Sequence, residues 1–529
     1  MKVQIMGEME NNGKKPGFVL HPVLFAAYPV LLLYSHNIQE ATFLDTIPSM
    51  ITIVGITLLL LLLGALLFRN ITKTGVVLSV SLLLCFSFRE AFYSAQNLLH
   101  VGSMPLALTV LIIWCLIFIS TLYFVVKTHK QLRNITKILN VMSGTLIVIV
   151  LASILSKGHR SNSSMHNIAA VDVEHSSFVP AAANELPDIY YIIVDRYARA
   201  DSMKEFYDFD NSEFINYLTA KGFYIAFESN SNYPGTAHSL ASSLNMDYLH
   251  IPCDQAGPSS ASWLSLYSML ENHKLGLLLK AKGYKYIHFG SWWNVTSKNK
   301  QADINVNYGW LSEFSRALYK STVLYPVLRV LFGWDEYRLK YERVLYKFGK
   351  LAEIPKMREP TFVFAHFLLP HLPYAFDKDG NFVTRIEAMR KGDKAGYIEQ
   401  LLFTNQKIKS FVENVLAGSE KPPIIILQAD EGPYPKRSMV KDDYKWQEVT
   451  TDQLRQKFGI LNAYYLPNVD KSALYPSITP VNSFRLIFNL YFDGQYELLP
   501  DRSYVFEDRN HLYNFFDVTE KLSKNKADK

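Results

Sequence analysis

The chain is poor in cysteine, poor in charge, and without basic excess over most of its length. Three cysteines in 529 residues, Cys85, Cys115 and Cys253, exclude a disulfide-rich scaffold and a Cys-rich zinc site. Charged residues make up 19%, against about 25% in a soluble domain, so part of the chain is not solvated by water. Residues 1–157 hold 11 Lys/Arg and 5 Asp/Glu, which accounts for the whole net charge of +6. The remaining 43 basic and 43 acidic residues cancel. That balance excludes a nucleic-acid partner, because the large C-terminal part has no basic surplus to offer a phosphate backbone. With 14% aromatic residues, disorder is excluded too. There is no internal repeat and no evident cleavable signal peptide.

What is there first is membrane. A hydrocarbon core about 30 Å thick needs roughly 20 apolar residues to cross. Five runs qualify, near 17–35, 48–68, 75–96, 104–126 and 138–156. The third is interrupted by Arg89 and Glu90, which either snorkel at an interface or make a polar contact inside the bundle. Lys2, Lys14 and Lys15 precede the first run, Arg69 and Lys73 follow the second, and Lys127, Lys130, Arg133 and Lys137 follow the fourth. Loops 36–47 and 97–103 have no Lys or Arg. The positive-inside rule then places the N-terminus in the cytoplasm and everything after residue 157 outside. Residues 158–186 read as a polar surface linker, and their histidines, His159, His166 and His175, as solvated loop residues.

From residue 187 to about 520 short apolar runs alternate with amphipathic segments. Strands are expected at 188–195, 284–290, 361–367, 423–430 and 460–466. Helices are expected at 211–221, 263–282, 308–350 in pieces, 395–417 and 480–492. Near-continuous apolar strands suit burial on both faces. The alternation predicts one α/β domain with a mostly parallel sheet covered by helices on both sides. Residues 521–529, "KLSKNKADK", read as a disordered tail.

Ligands in such sheets bind beyond the carboxyl ends of the strands. Two expected strands end in acids, one at Asp195, the other at Asp430 and Glu431. Between them "SNYPGTAHSLASSLN" starts a helix at Thr236, whose hydroxyl is either an N-cap or a nucleophile favoured by the positive helix end. Trp292 and Trp293 in "GSWWNVT" suit a wall for a sugar or glycerol moiety, or ordinary packing. Lys436 and Arg437 follow the acidic strand end and suit either phosphate or a solvated loop. His366 lies inside an apolar strand and reads as a core histidine.

Taken in order, the acid at Asp195, "TAHS" from Thr236 to Ser239, "LLPHLPY" around His371 and "IIILQADEG" ending at Asp430 resemble the alkaline phosphatase/sulfatase superfamily. An apolar N-terminal region before such a domain resembles its membrane transferase branch, which contains lipoteichoic acid synthases and phosphoethanolamine and phosphoglycerol transferases. The resemblance implies metal ligands Asp195, Thr236, Asp430 and, at the position after it, Glu431, a nucleophile at Thr236 and a substrate-side role for His371; Trp292, Trp293 and Arg437 are expected to bind substrate from their own positions after a strand and after the acidic strand end. The position after Asp430 is normally His in that family. Glu431 stands there instead, which bears on the metal and on activity. An oxygen-only ligand set suits Mg²⁺, Mn²⁺ or Ca²⁺ better than Zn²⁺, and one divalent ion is expected, Mn²⁺ or Mg²⁺ before Zn²⁺ or Ca²⁺. The signature Cys/Ser-x-Pro-x-Arg is absent, and Cys253 sits in "IPCDQAG", so a formylglycine sulfatase is not expected.

Three functions follow from this resemblance. The first is a metal-dependent transferase in a bacterial inner or plasma membrane, acting as a monomer. It would move a phospho-alcohol group from a membrane lipid donor to an envelope glycan or lipid. The second is a membrane-anchored phosphodiesterase or sulfatase-like hydrolase. The third is an inactive binding protein on the same fold. A transporter is not expected, since five helices with one internal charge pair offer no repeated substrate path. The orientation is tested by adding protease to spheroplasts, which should release a fragment of about 40 kDa, from about 370 residues at ~110 Da each outside the membrane. Full protection of that fragment would contradict the orientation.

Overall fold

The computed structural model describes residues 18–99, 103–128, 132–162, 186–249, 261–333, 335–435 and 444–523. The linker expected at 158–186 and the tail expected at 521–529 fall largely outside these residues, as do Lys436, Arg437 and Cys253. A helix at Thr519–Ser523 runs into the start of that tail.

The chain divides into two compact units. Met1–His159 and Phe314–Leu331 form one, and Arg160–Glu313 and Phe332–Lys529 the other. In the first, five helices form: α1 (His21–His36), α2 (Phe43–Phe68), α3 (Ile71–Leu99), α4 (Ser103–Lys127) and α5 (Arg133–Asn162). Among the described residues, four of them, α2 to α5, have the length and composition to cross a membrane. The span expected at 17–35 is shorter than the sequence suggested. α1 has 16 residues, with Pro22 in its first turn, and reaches about 24 Å at 1.5 Å per residue. Leu58, Leu59, Leu62, Leu63, Ile112, Leu116 and Ile119 are exposed on the outer faces of α2 and α4. Such a surface suits lipid rather than water. The Arg89 guanidinium lies 5.6 Å from the Tyr93 ring centroid, one turn away on the same helix.

The segment expected to belong wholly to the α/β domain, 308–350, is divided between the units. Its helix Glu313–Lys320 buries Phe314 and Leu318 in a cluster with Val30, Tyr34 and Ile38. Ser49 and Ser315 share a hydroxyl hydrogen bond of 2.8 Å, and the Val323 N–H donates to the Cys85 carbonyl at 2.8 Å. Apolar spacing predicted the helices correctly but could not say against which neighbours they pack.

The second unit is built on a seven-stranded sheet: β1 (Ile189–Val194), β2 (Tyr224–Ile225), β3 (Lys285–Phe289), β4 (Ile304–Val306), β5 (Thr361–Phe367), β6 (Ile424–Gln428) and β7 (Asn462–Tyr465), in spatial order β2-β7-β6-β1-β5-β3-β4. The five strands β6 to β4 run parallel, and β7 is antiparallel to both β6 and β2. The sheet is therefore mixed at one edge. A separate antiparallel pair is formed by β8 (Tyr504–Phe506) and β9 (Phe515–Asp517).

Alternation along the central strands divides the core in two. Tyr191, Ile193, Phe364 and Ile426 face one cluster, shared with Ala237, Leu240 and Leu244 of the helix Thr236–Asn245. Tyr190, Ile192, Val194, Val363 and Ile425 face the other, shared with Leu401, Ile408 and Val412 of the helix Asp393–Gly418. Both faces are dry, which is why β1, β5 and β6 read as unbroken apolar runs. The same period of two decides which side chains at the strand ends meet Thr236.

Candidate active site at the carboxyl ends of three strands

β1 and β6 are neighbours in parallel register, with Ile193 opposite Gln428. Two residues further along each strand come Asp195 and Asp430, on the same face as Tyr191 and Ile426. β5 flanks β1 on the other side and places His366 opposite Ile193. Hydrogen bonding continues past β1, where the Asp195 N–H donates to the Phe367 carbonyl at 2.9 Å. Asp195, His366 and Asp430 thus converge, with one ligand atom of each within 4.8 Å of the others. All three are buried, and His366 Nε2 lies 3.6 Å from Asp195 Oδ2.

These groups are left short of partners. Asp195 Oδ1, both carboxylate oxygens of Asp430, and His366 Nε2 have no hydrogen-bond partner. An orphaned buried polar group costs about 1–3 kcal/mol, more when charged. The set of two carboxylates and one imidazole fits a divalent ion such as Mn²⁺ or Zn²⁺. Burial pushes the His366 imidazole down to about 4, which keeps it neutral and able to ligate. Its Nδ1 is held by Thr296 Oγ1 at 3.1 Å, an outer contact of the kind that orients ligating histidines.

Thr236 is the first residue of its helix, and Gly235 occupies the N-cap position without a side chain to cap with. The threonine hydroxyl is therefore not consumed as a cap. It lies close enough to Asp430 to lower that carboxyl's pKa, without meeting full hydrogen-bond geometry. Ser239, one turn on, donates to the Asp430 backbone carbonyl at 2.6 Å and so ties the helix to the strand end.

Glu431 points elsewhere. Its Oε1 accepts from Lys457 Nζ at 2.8 Å and from Arg196 Nε at 3.3 Å, although its Oε2 has no partner. Arg196 and Lys457 both lie over the Tyr434 ring, at 4.5 Å and 3.4 Å. The alternation that keeps Asp430 on the Thr236 face sends the next residue to a different set of neighbours. Arg196 has φ +64°, a left-handed conformation that costs a non-glycine residue about 1–2 kcal/mol. Gly432 completes the turn. A Cβ there would lie 2.5 Å from the Gln456 carbonyl oxygen and 2.7 Å from that of Lys457, so no larger residue fits.

The remaining expected residues separate. The His371 N–H donates to the Asp195 carbonyl at 3.3 Å, and its own carbonyl accepts from Lys340 and from Gln400 Nε2 at 2.7 Å. His371 Nδ1 faces the Leu372 carbonyl, which can only accept, so Nε2 carries the lone pair. Burial, then Arg196 and Lys340, hold this imidazole well below its ordinary pKa. Trp292 lines a cavity with Lys340, Arg343, Lys347 and His366, whereas Trp293 packs edge-on against Tyr267 at 5.8 Å. Arg437 lies outside the described residues. Sequence reading missed His366, Arg196, Lys457 and the lysines of the helix Glu336–Leu351. For Arg196 the signal was its place directly after Asp195.

Residues 187–463 match the sulfatase family, described as "Sulfatase". The match covers more than half the chain, and the chain belongs to that family. A search of curated proteins finds no match. Among solved structures, the C-terminal periplasmic domain of EcEptC from Escherichia coli is similar at 14% identity, covering 64% of this chain and 94% of that one, with a TM-score of 0.41. The same domain in complex with Zn is similar at 12% identity over the same shares, TM-score 0.42. The integral membrane protein lipooligosaccharide phosphoethanolamine transferase A (EptA) from Neisseria meningitidis is similar at 10% identity, covering 91% of this chain and 97% of that one, TM-score 0.39.

The paired acids carry a pH signature. Burial, and for Asp430 the charge of Asp195, push both carboxyls from 3.8 up to about 7. A carboxyl whose pKa is raised on folding favours the folded state when protonated, so its contribution is lost as pH rises from about 4 through about 7. Metal-stripped protein should therefore melt lower at pH 8 than at pH 5.5, and Asp430→Asn should flatten that slope. Added Mn²⁺ should raise the wild-type melting temperature more at pH 8 than at pH 5.5. Equal stabilisation at both pH values would contradict proton–metal competition at these acids.

Proposed function

We propose that the chain is a membrane-bound, metal-dependent enzyme that transfers a phospho-alcohol group from a lipid donor to an envelope glycan or lipid. In this reading residues 1–157 form the membrane region and 187–520 an extracytoplasmic catalytic domain. The observation that carries it is the convergence of two orphaned carboxylates and a neutral imidazole beside an uncapped threonine at a helix start. Asp195, Asp430 and His366 would hold the ion, with Thr236 beside them. A bound divalent cation would neutralise the buried carboxylates and polarise an oxygen of the transferred group. His366 brings the nitrogen donor that Glu431, engaged by two cations, does not. This supports activity over the inactive alternative.

The Thr236 Oγ would attack phosphorus and give up its proton, the bond to the diacylglycerol oxygen would break as that oxygen takes up a proton, and the phospho-alcohol group would remain on Thr236. An acceptor hydroxyl then attacks the same phosphorus and releases the threonine. The acceptor's proton would pass to the departing Thr236 oxygen, and His371, kept neutral with a lone pair on Nε2, would accept a hydrogen bond from a substrate hydroxyl. Water in place of the acceptor gives the hydrolase.

Thr236→Ala in the full-length protein should abolish release of diacylglycerol from phosphatidylethanolamine or phosphatidylglycerol vesicles. Ser239→Ala should leave a substantial part of it, because that hydroxyl holds a backbone carbonyl. Neither change should shift the melting temperature by more than a few degrees. Mass spectrometry of trapped wild-type protein should place a phospho-alcohol adduct on the peptide containing Thr236. Undiminished turnover in Thr236→Ala would overturn the mechanism.

A further inference from the structure

Between β4 and the helix Glu336–Leu351 the sequence leaves the α/β unit, and Phe314–Leu331 belongs to the compact unit of the membrane helices. Two short helices form there, Glu313–Lys320 and Leu324–Phe332. The turn between them is set against α3 and α4. Val323 packs on a cluster that includes Phe88, Leu106 and Val110, and its N–H donates to the Cys85 carbonyl at 2.8 Å. Cys85 stands one helical turn, about 6 Å, to the apolar side of Arg89 and Glu90. The turn thus reaches past that charged pair, to where α3 and α4 expose Leu83, Leu108 and Ile112.

Backbone at membrane depth must satisfy its polar groups within the protein, and this turn does so. The Ser321 N–H donates to the Ala317 and Leu318 carbonyls at 3.2 and 3.1 Å, the Thr322 N–H to the Tyr319 carbonyl at 3.0 Å, and the Tyr325 N–H to the Thr322 carbonyl at 3.3 Å. The Ser321 and Thr322 hydroxyls donate to the Leu318 and Tyr319 carbonyls at 2.6 and 2.7 Å.

The second helix, "LYPVLRVLF", carries one charged residue, Arg329, and buries none of its side chains. Leu324, Val327, Leu328 and Leu331 recur at helical spacing, and Leu324, Val330 and Leu331 are 49%, 63% and 66% exposed. Its 9 residues reach about 14 Å, too short to cross a hydrocarbon core but suited to lying in its surface. Tyr325 and Arg329 are one turn apart, with the guanidinium 5.8 Å from the ring centroid. Both are side chains that anchor helices at the head-group layer.

We infer that Leu324–Phe332 is a monotopic membrane helix, its apolar side chains in the acyl layer of the leaflet at the Arg89 end of α3. Lipid is the occupant of this face because the face continues the apolar surface of α3 and α4, to which the preceding turn is bonded. The chain therefore holds the bilayer at a second place, far in sequence from its N-terminal helices. This contact is independent of which group the enzyme transfers.

The test uses full-length protein in phosphatidylethanolamine–phosphatidylglycerol vesicles at low protein density. A lipid-soluble diazirine is photolysed in the bilayer, and labelled peptides are read by mass spectrometry. Label within 321–332 should approach that of α2 and exceed that of the helix Asp393–Gly418 at least tenfold. The double variant Val330→Glu/Leu331→Glu should lower the label within 321–329 at least fivefold and leave that of α2 unchanged. Both side chains are exposed, so its melting temperature in detergent should stay within a few degrees of wild type. Wild-type label within 321–332 no higher than in Asp393–Gly418 would overturn the inference, as would unchanged label in the double variant. Label that falls as protein density is raised would overturn it too, by assigning the face to a second copy of the chain.

Discussion

Two carboxylates buried side by side, with three of their four oxygens lacking a hydrogen-bond partner among the described residues, are the constraint around which the α/β unit is arranged. Asp195 and Asp430 end adjacent parallel strands on one face, and the sheet buries both and leaves them few partners. Desolvation pushes both toward the protonated state, and for Asp430 the charge of Asp195 adds to it. The neighbouring structure compensates in graded steps. His366 comes in from β5 as a neutral imidazole, Thr236 stands at a positive helix end, and Ser239 pins the Asp430 backbone. A divalent ion bound by Asp195, His366 and Asp430 would bring the opposite charge to that arrangement.

A second electrostatic unit lies beside the first and touches it, with Arg196 Nε 4.0 Å from Asp195 Oδ1. Glu431, Arg196, Lys457 and Tyr434 form a buried pair-and-ring cluster. Breaking such a pair by removing one member costs about 3–5 kcal/mol. The cluster therefore gives the acid at position 431 a structural role, as the partner of Lys457 and Arg196. It also holds Arg196 in its left-handed conformation and Gly432 against the 456–457 backbone.

Much of the fold was legible because both faces of the central sheet are dry. Unbroken apolar runs marked β1, β3, β5, β6 and β7 to within one or two residues at each end. The two-residue β2, the three-residue β4 and the β8–β9 pair were too short to leave a period. The direction of β7 was illegible, since an apolar run looks alike in either orientation. Asp195, Asp430 and Thr236 were readable from position, at strand ends and a helix start. His366 was not, because a histidine inside an apolar strand looks like core until its neighbours across the sheet are known. Glu431 misled for the complementary reason, since the alternation that separates it from Asp430 operates beyond the last paired residue. The inward lysines of the Glu336–Leu351 helix sat in a segment rich in charge, where a solvated face is the ordinary expectation. The helix Glu313–Lys320 was legible as a helix, but its packing partners lie some 280 residues earlier in the chain.

The central claim is that Asp195, His366 and Asp430 hold one divalent ion. Titration of Mn²⁺ into the metal-stripped full-length protein, followed by electron paramagnetic resonance of the free ion, tests it directly. The account predicts one saturable site per chain, lost in Asp195→Asn and Asp430→Asn, weakened in His366→Gln, and retained in Glu431→Gln. Absence of a saturable site, or binding that survives Asp430→Asn, would contradict it.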